Sequence, residues 1–128
     1  FSDCDKLKNI VIPSIVTSIG AFAFVRCASI ESLVVPDGVK VIEEGTFAEM
    51  KSLRDLTIGV GVTSIGEYAF ACSRLETITF KGRVSFIDKN AFNHCDHLES
   101  IIVQSHHEIT RMKKLLPSFL YDKLVIKA

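Results

Sequence analysis

A chain of 128 residues is one domain by length, and its 48% apolar content is ample for a continuous core. Fifteen Lys and Arg balance fifteen Asp and Glu, so the positive excess of a general nucleic-acid binder is missing. No apolar run approaches the ~20 residues that cross a bilayer, no signal peptide is visible in the FSDCDK start, and four cysteines are too few for a disulfide-dense scaffold.

Taken in order, the chain repeats. Phe1, Phe24, Phe47, Phe70 and Phe92 recur at intervals of 23, 23, 23 and 22. The same rhythm carries Leu7, Ile30, Leu53, Leu75 and Leu98, then Ile10, Leu33, Leu56, Ile78 and Ile101. It carries Ile12, Val35, Ile58, Phe80 and Val103, then Val16, Val39, Val62 and Val84, and finally Ile19, Ile42, Ile65 and Ile87. A cysteine column is read as Cys4, Cys27, Cys72 and Cys95, with Met50 interrupting it. The shortened interval then falls between Phe70 and Leu75, which puts Cys72 two places after its Phe instead of three.

Each unit predicts the same local structure. Period-2 alternation, as in Ile10-Val11-Ile12 and Ile78-Thr79-Phe80, predicts a short strand with one buried face. Pro13, Pro36 and Gly59 close three of these strands. The Val-x-x-Ile-Gly piece predicts a second short extended segment ending at Gly20 or Gly66, where positive φ is favoured. Phe-x-x-Cys-x-x-Leu spaces apolar residues at i, i+3 and i+6, which predicts a turn or two of α- or 3-10 helix. One unit cannot bury its own apolar face, so stacked units share a core. The expected fold is a right-handed repeat solenoid with a parallel β-sheet along one face. It comprises about five 22–23-residue repeats over residues 1–104 and a degenerate capping repeat over 105–128, the whole 1–128 forming one solenoid. In the cap, Ile109, Met112, Leu115 and Leu116 fit one face of a short helix ended near Pro117, and Leu124-Val125-Ile126 falls in register as a sixth strand.

The motif resembles the BspA-like, or Treponema-type, leucine-rich repeat. Leu7, Ile10, Ile12, Pro13, Val16, Ile19, Gly20, Ala23, Phe24 and Cys27 carry the match in the first full unit. Val62, Ile65, Gly66, Ala69, Phe70, Cys72, Leu75 and Ile78 repeat it. Met50, the shortened unit, and Gly59, Lys81 and Gln104 in place of Pro depart from it. The resemblance implies a secreted or surface-displayed protein without a catalytic site, of a kind tied to adhesion to host or neighbouring cells. Its implied partner is a protein or glycan.

Catalysis and metal binding find little support. The cysteine column brings Cys4 near Cys27 and Cys72 near Cys95, but a column interchangeable with Met reads as small buried hydrophobes. His94, His97, His106 and His107 read as solvent-facing loop and turn residues, and no cofactor is expected. The candidate binding face is the outward side of the strands: Val11, Val34, Thr57, Thr79 and Ile102, flanked by Asn9, Ser32, Asp55, Thr77 and Ser100 and then by Lys8, Glu31, Arg54, Glu76 and Glu99. Tyr68 and Phe22, two places before their anchor Phe, are further candidate contacts. Arg111, Lys113 and Lys114 read as the solvated face of the cap helix. Phe1 starts in mid-unit, either as a cut in a longer array or as an end covered by another chain, and an uncapped edge there invites end-to-end association. The functional expectation is a non-catalytic interaction module; the alternative is a spacer that displays another domain.

Overall fold

The structure, a computed structural model, describes residues 10–126. In chain order the strands are β1 (Ser32–Val35), β2 (Val41–Ile42), β3 (Asp55–Ile58), β4 (Ser64–Ile65), β5 (Thr77–Phe80), β6 (Phe86–Ile87), β7 (Ser100–Val103) and, after the helix α1 (His106–Leu115), β8 (Leu124–Ile126). The longer strands form one parallel sheet in the order β1-β3-β5-β7-β8, and the two-residue strands form a second in the order β2-β4-β6. Register follows the sequence columns: Leu33 pairs with Leu56, Leu56 with Ile78, and Ile78 with Ile101. A one-residue slip would turn every buried Leu and Ile outward, so burial holds this register. Ile10-Val11-Ile12 keeps the expected alternation, half-buried, exposed, half-buried, but is not a strand. Its anchors are less covered than the Leu and Ile of the later strands, so burial holds it less firmly.

The inward columns fill the space between the two sheets. Ile30, Leu53, Leu75, Val39, Val62, Ile42 and Ile65 are fully buried. Phe24, Phe47, Phe70 and Phe92 stack ring on ring, with centroids 5.6, 6.0 and 5.1 Å apart. Offset stacking at this spacing adds to what the rings gain by burial. Thr46 replaces alanine in a buried column and satisfies its hydroxyl on the Glu43 carbonyl at 2.9 Å.

The segment after the second sheet differs from expectation. It is a run of overlapping β-turns instead of a helical turn. Ala23, Val25 and Cys27 donate to the carbonyls three residues back, while Phe22, Phe24 and Arg26 donate to Glu44, Thr46 and Ala48 of the next repeat. Alternate N–H groups thus close turns and build a lateral ladder. The geometry requires left-handed residues, and these are Phe22, Arg26, Glu49, Tyr68, Cys72 and His94, with Gly45, among those described. Positive φ falls at Phe22, Gly45 and Tyr68, two places after the position of Gly20 and Gly66. Gly66 serves close approach instead, since a Cβ there would come within 3.0 Å of the Glu44 nitrogen.

The cap forms as the pattern indicates, with β8 pairing in parallel on β7 through Ile101–Leu124, Ile102–Val125 and Val103–Ile126. Ser105 caps α1 by accepting from the Glu108 N–H, and Pro117 follows its end. Met112 and Leu116 are buried on the core, with Ile109 and Leu115 packed beside them. Side chains replace the backbone donors that a further repeat would supply. Gln104 Nε2 donates to the Phe80 carbonyl at 2.9 Å and Arg111 Nη2 to the Val84 carbonyl at 3.1 Å.

Candidate binding surfaces

The strands place the outward candidates in straight files. Val34, Thr57, Thr79 and Ile102 are register partners from strand to strand, and Val125 of the cap extends the file. Val34 is 56% exposed and Val125 is exposed, while Thr57, Thr79 and Ile102 between them are half-covered by their neighbours. Ser32, Asp55, Thr77 and Ser100 form the adjacent file in register. Val11 is exposed beside this face without belonging to a strand, and with Val34, Asp37, Asp55, Thr57 and Lys81 it lines a shallow hollow. Asn9 and Lys8 lie outside the described residues. Arg54 reaches Glu76 at 3.9 Å between two exposed side chains, a contact worth ~0–1 kcal/mol. The result is a flat, β-branched surface without aromatic rings in its central file.

Tyr68 does not join that face. It stands in the turn segment with φ 57°, in one column with Phe22 and Gly45, and lines a separate groove there with Phe22, Ala48, Ala71 and Asn93. Charged lining in this groove is confined to Arg26 and Glu49, which approach to 3.6 Å.

The cysteine column needs correction. The buried place three after each anchor Phe holds Cys27, Met50, Ser73 and Cys95, while Cys72 is exposed in the left-handed place before it. The missing residue therefore falls between Ser73 and Leu75. Cys72 and Cys95 are not joined to each other, and they lie on different sides of the wall, one exposed and one buried. Cys95 donates to the Phe70 carbonyl at 2.9 Å, a carbonyl that also accepts from the Ser73 hydroxyl at 2.8 Å. Burial pushes the Cys95 thiol up to about 11, which makes it a poor nucleophile near neutral pH. Cys4 lies outside the described residues.

His94 and His97 are exposed, as expected, but His106 and His107 open α1 instead of sitting in a turn. No three His, Cys, Asp or Glu side chains among the described residues gather at metal-binding distance. The expected basic spot is also divided. Arg111 turns inward to Glu108 at 2.8 Å, and Glu108 also takes Arg83 at 3.2 Å. Lys113 lies over the Tyr121 ring at 5.8 Å, and the Tyr121 hydroxyl donates to the Lys113 carbonyl. Sequence reasoning missed the Arg83–Glu108–Arg111 clasp, although the Ser105-x-x-Glu108 spacing of a capping box was a signal for the helix start.

Comparison with known proteins agrees with this architecture. The sequence model of one family, described as "BspA type Leucine rich repeat region", matches residues 1–114 in six copies. A crystal structure of a leucine-rich repeat protein from Bacteroides ovatus ATCC 8483 superposes with a TM-score of 0.63 at 26% identity, over 83% of this chain and 36% of that one. The crystal structure of the pneumococcal vaccine antigen PcpA superposes with a TM-score of 0.71 at 18% identity, over 100% of this chain and 38% of that one. The chain spans a little over a third of each. None of the curated proteins matches it.

Proposed function

The chain belongs to the BspA-type leucine-rich-repeat family, and from that premise we propose that it is a non-catalytic interaction module of a secreted or surface-displayed protein, with residues 1–128 as one solenoid. Leucine-rich repeats are interaction domains, which excludes little by itself, since a fold does not fix a function. The observation that carries the reading is the register-locked file Val34–Thr57–Thr79–Ile102–Val125. Five strands ~4.8 Å apart present it as a lane ~19 Å long. Such a lane offers β-branched surface held rigid by the core, so little ordering entropy is lost when a partner lies along it. The partner is a protein or glycan of a host or neighbouring cell surface.

A second reading, a spacer displaying another domain, is favoured by the absence of aromatic or buried Arg anchors in the file, because such anchors dominate most interfaces. One experiment separates the two. Candidate host matrix and cell-surface extracts are passed over the immobilised chain and over the triple variant Val34→Arg, Thr57→Arg, Thr79→Arg. Specific capture that the variant loses, with its circular dichroism unchanged, supports the sheet face. Capture that survives moves the site elsewhere, and no capture by either chain favours the spacer.

A further inference from the structure

The turn face carries what the sheet face lacks. Phe22 is 45% exposed, Tyr68 39% and Phe119 65%. Phe22 and Tyr68 stand in one column two repeats apart, ~9.6 Å at the spacing of a backbone ladder. Between them is Gly45, where any Cβ would collide with the Phe22 ring. The ring therefore lies down over the neighbouring repeat and turns its other face to solvent. The groove floor between the rings is shallow and formed by the buried Ala48 and Ala71. Asn93 lines this groove and also a neighbouring hollow lined by Leu115 and Phe119 of the cap, so the two hollows adjoin at Asn93.

We propose that this turn-face groove binds a neutral, extended oligosaccharide. Three features select that ligand class. The rings offer broad π faces of the kind on which the C–H face of a pyranose stacks, spaced for alternate sugars along an extended chain, which advances about 5 Å per residue. Asn93 and the paired Arg26 and Glu49 supply planar donors and acceptors for hydroxyl groups beside those rings. With Arg26 and Glu49 matched and Lys89 the remaining charged residue along the two hollows, the lining has little field to draw a polyanion or a strongly basic chain. A peptide strand is a poor fit. The N–H groups of Phe22, Phe24, Arg26, Gly45, Phe47 and Glu49 are already spent on the next repeat, so the floor has none to offer an added strand. The site is distinct from the sheet face and stands or falls without it.

Native affinity electrophoresis of the whole chain tests the proposal, in gels containing hydroxyethylcellulose, xyloglucan, galactomannan or β-1,3-glucan. The variants are Phe22→Asn and Tyr68→Asn, since asparagine removes the ring while tolerating the left-handed backbone. At least one polysaccharide should retard the chain, each variant should weaken retardation by about tenfold or more, and Ser85→Ala, exposed just before β6 and outside both surfaces, should leave it unchanged. A second reading uses the unaltered chain: the retarding saccharide should slow alkylation at Cys72, mapped by peptide mass spectrometry, because Cys72 also lines the groove. No retardation in any gel, retardation that both variants preserve, or Cys72 alkylation indifferent to the saccharide would each overturn the proposal.

Discussion

The strand side and the turn side of this rod are both parallel backbone ladders, yet they spend their hydrogen bonds differently. On the strand side, successive residues alternate between core and solvent, and the ladder leaves a smooth β-branched surface. On the turn side, every second N–H goes to the next repeat and the others close β-turns within their own. That economy demands two left-handed residues in most repeats, and it throws Phe22, Tyr68 and Cys72 outward beside small, buried alanines. The contrast teaches that the same core columns can support a flat face and a grooved one. Stability and surface relief are set by different positions.

The largest test is of what joins the two sides. Phe47 is fully buried in the ring stack, and Phe47→Ala should cost ~3–5 kcal/mol in denaturant unfolding. A cost below ~1 kcal/mol would mean that the two ladders hold without the rings between them. The next test concerns the turn-side interior. Because burial raises Cys95 from 9.0 to about 11, the folded state keeps a proton that the unfolded chain gives up first. The thiol's contribution is therefore complete below about pH 9 and fades as pH rises towards 11. At ~1.4 kcal/mol per unit the loss approaches about 3 kcal/mol, and Cys95→Ser should fall less steeply than the parent over that window. Equal slopes would place the thiol in contact with water.

The smallest effect is the most discriminating, because its sign should reverse between the sides. Thr57→Gly, in the middle of a strand, should lose ~1 kcal/mol through backbone entropy and lost β-branched packing. His94→Gly, exposed with φ 58°, should gain ~0.5–1 kcal/mol by relieving a left-handed conformation. Thermal melts of the two variants beside the parent decide it, and two losses would show that the turn backbone is not strained by its side chains.

The inward columns were legible because burial enforces them residue by residue, down to Leu124 and Ile126 in a cap whose middle has lost the motif. The turns were misread for a physical reason. Spacings of i, i+3 and i+6 suit a helical turn and linked β-turns alike, since both close bonds three residues back. Phe, Arg, Glu, Tyr and Cys give no hint of left-handed backbone, His94 gives a weak one, and Gly45 a clear one. Residue type alone puts Cys72 in the inward column, whereas its position, two after Phe70, is an outward one. The turn-closing bonds of Cys27 to Phe24 and Cys95 to Phe92 fix the inward place three after the ring. Ser73 fills it with its hydroxyl on the Phe70 carbonyl, so the deletion moves to the loop beyond. The outward file of Val34, Thr57, Thr79 and Ile102 was readable from alternation alone. The groove was not, because it depends on where Phe22 lays its ring.

The ladder bonds on both sides lie along the axis of the rod, while the chain winds around it. A tug on the two ends therefore meets one row of bonds at a time, like a zip, and not the whole sheet in shear. Under tension the array should give way turn by turn at modest force and rewind when released, paying out slack in steps of one repeat. For a module presented between moving surfaces, that makes the solenoid a shock absorber as well as a scaffold.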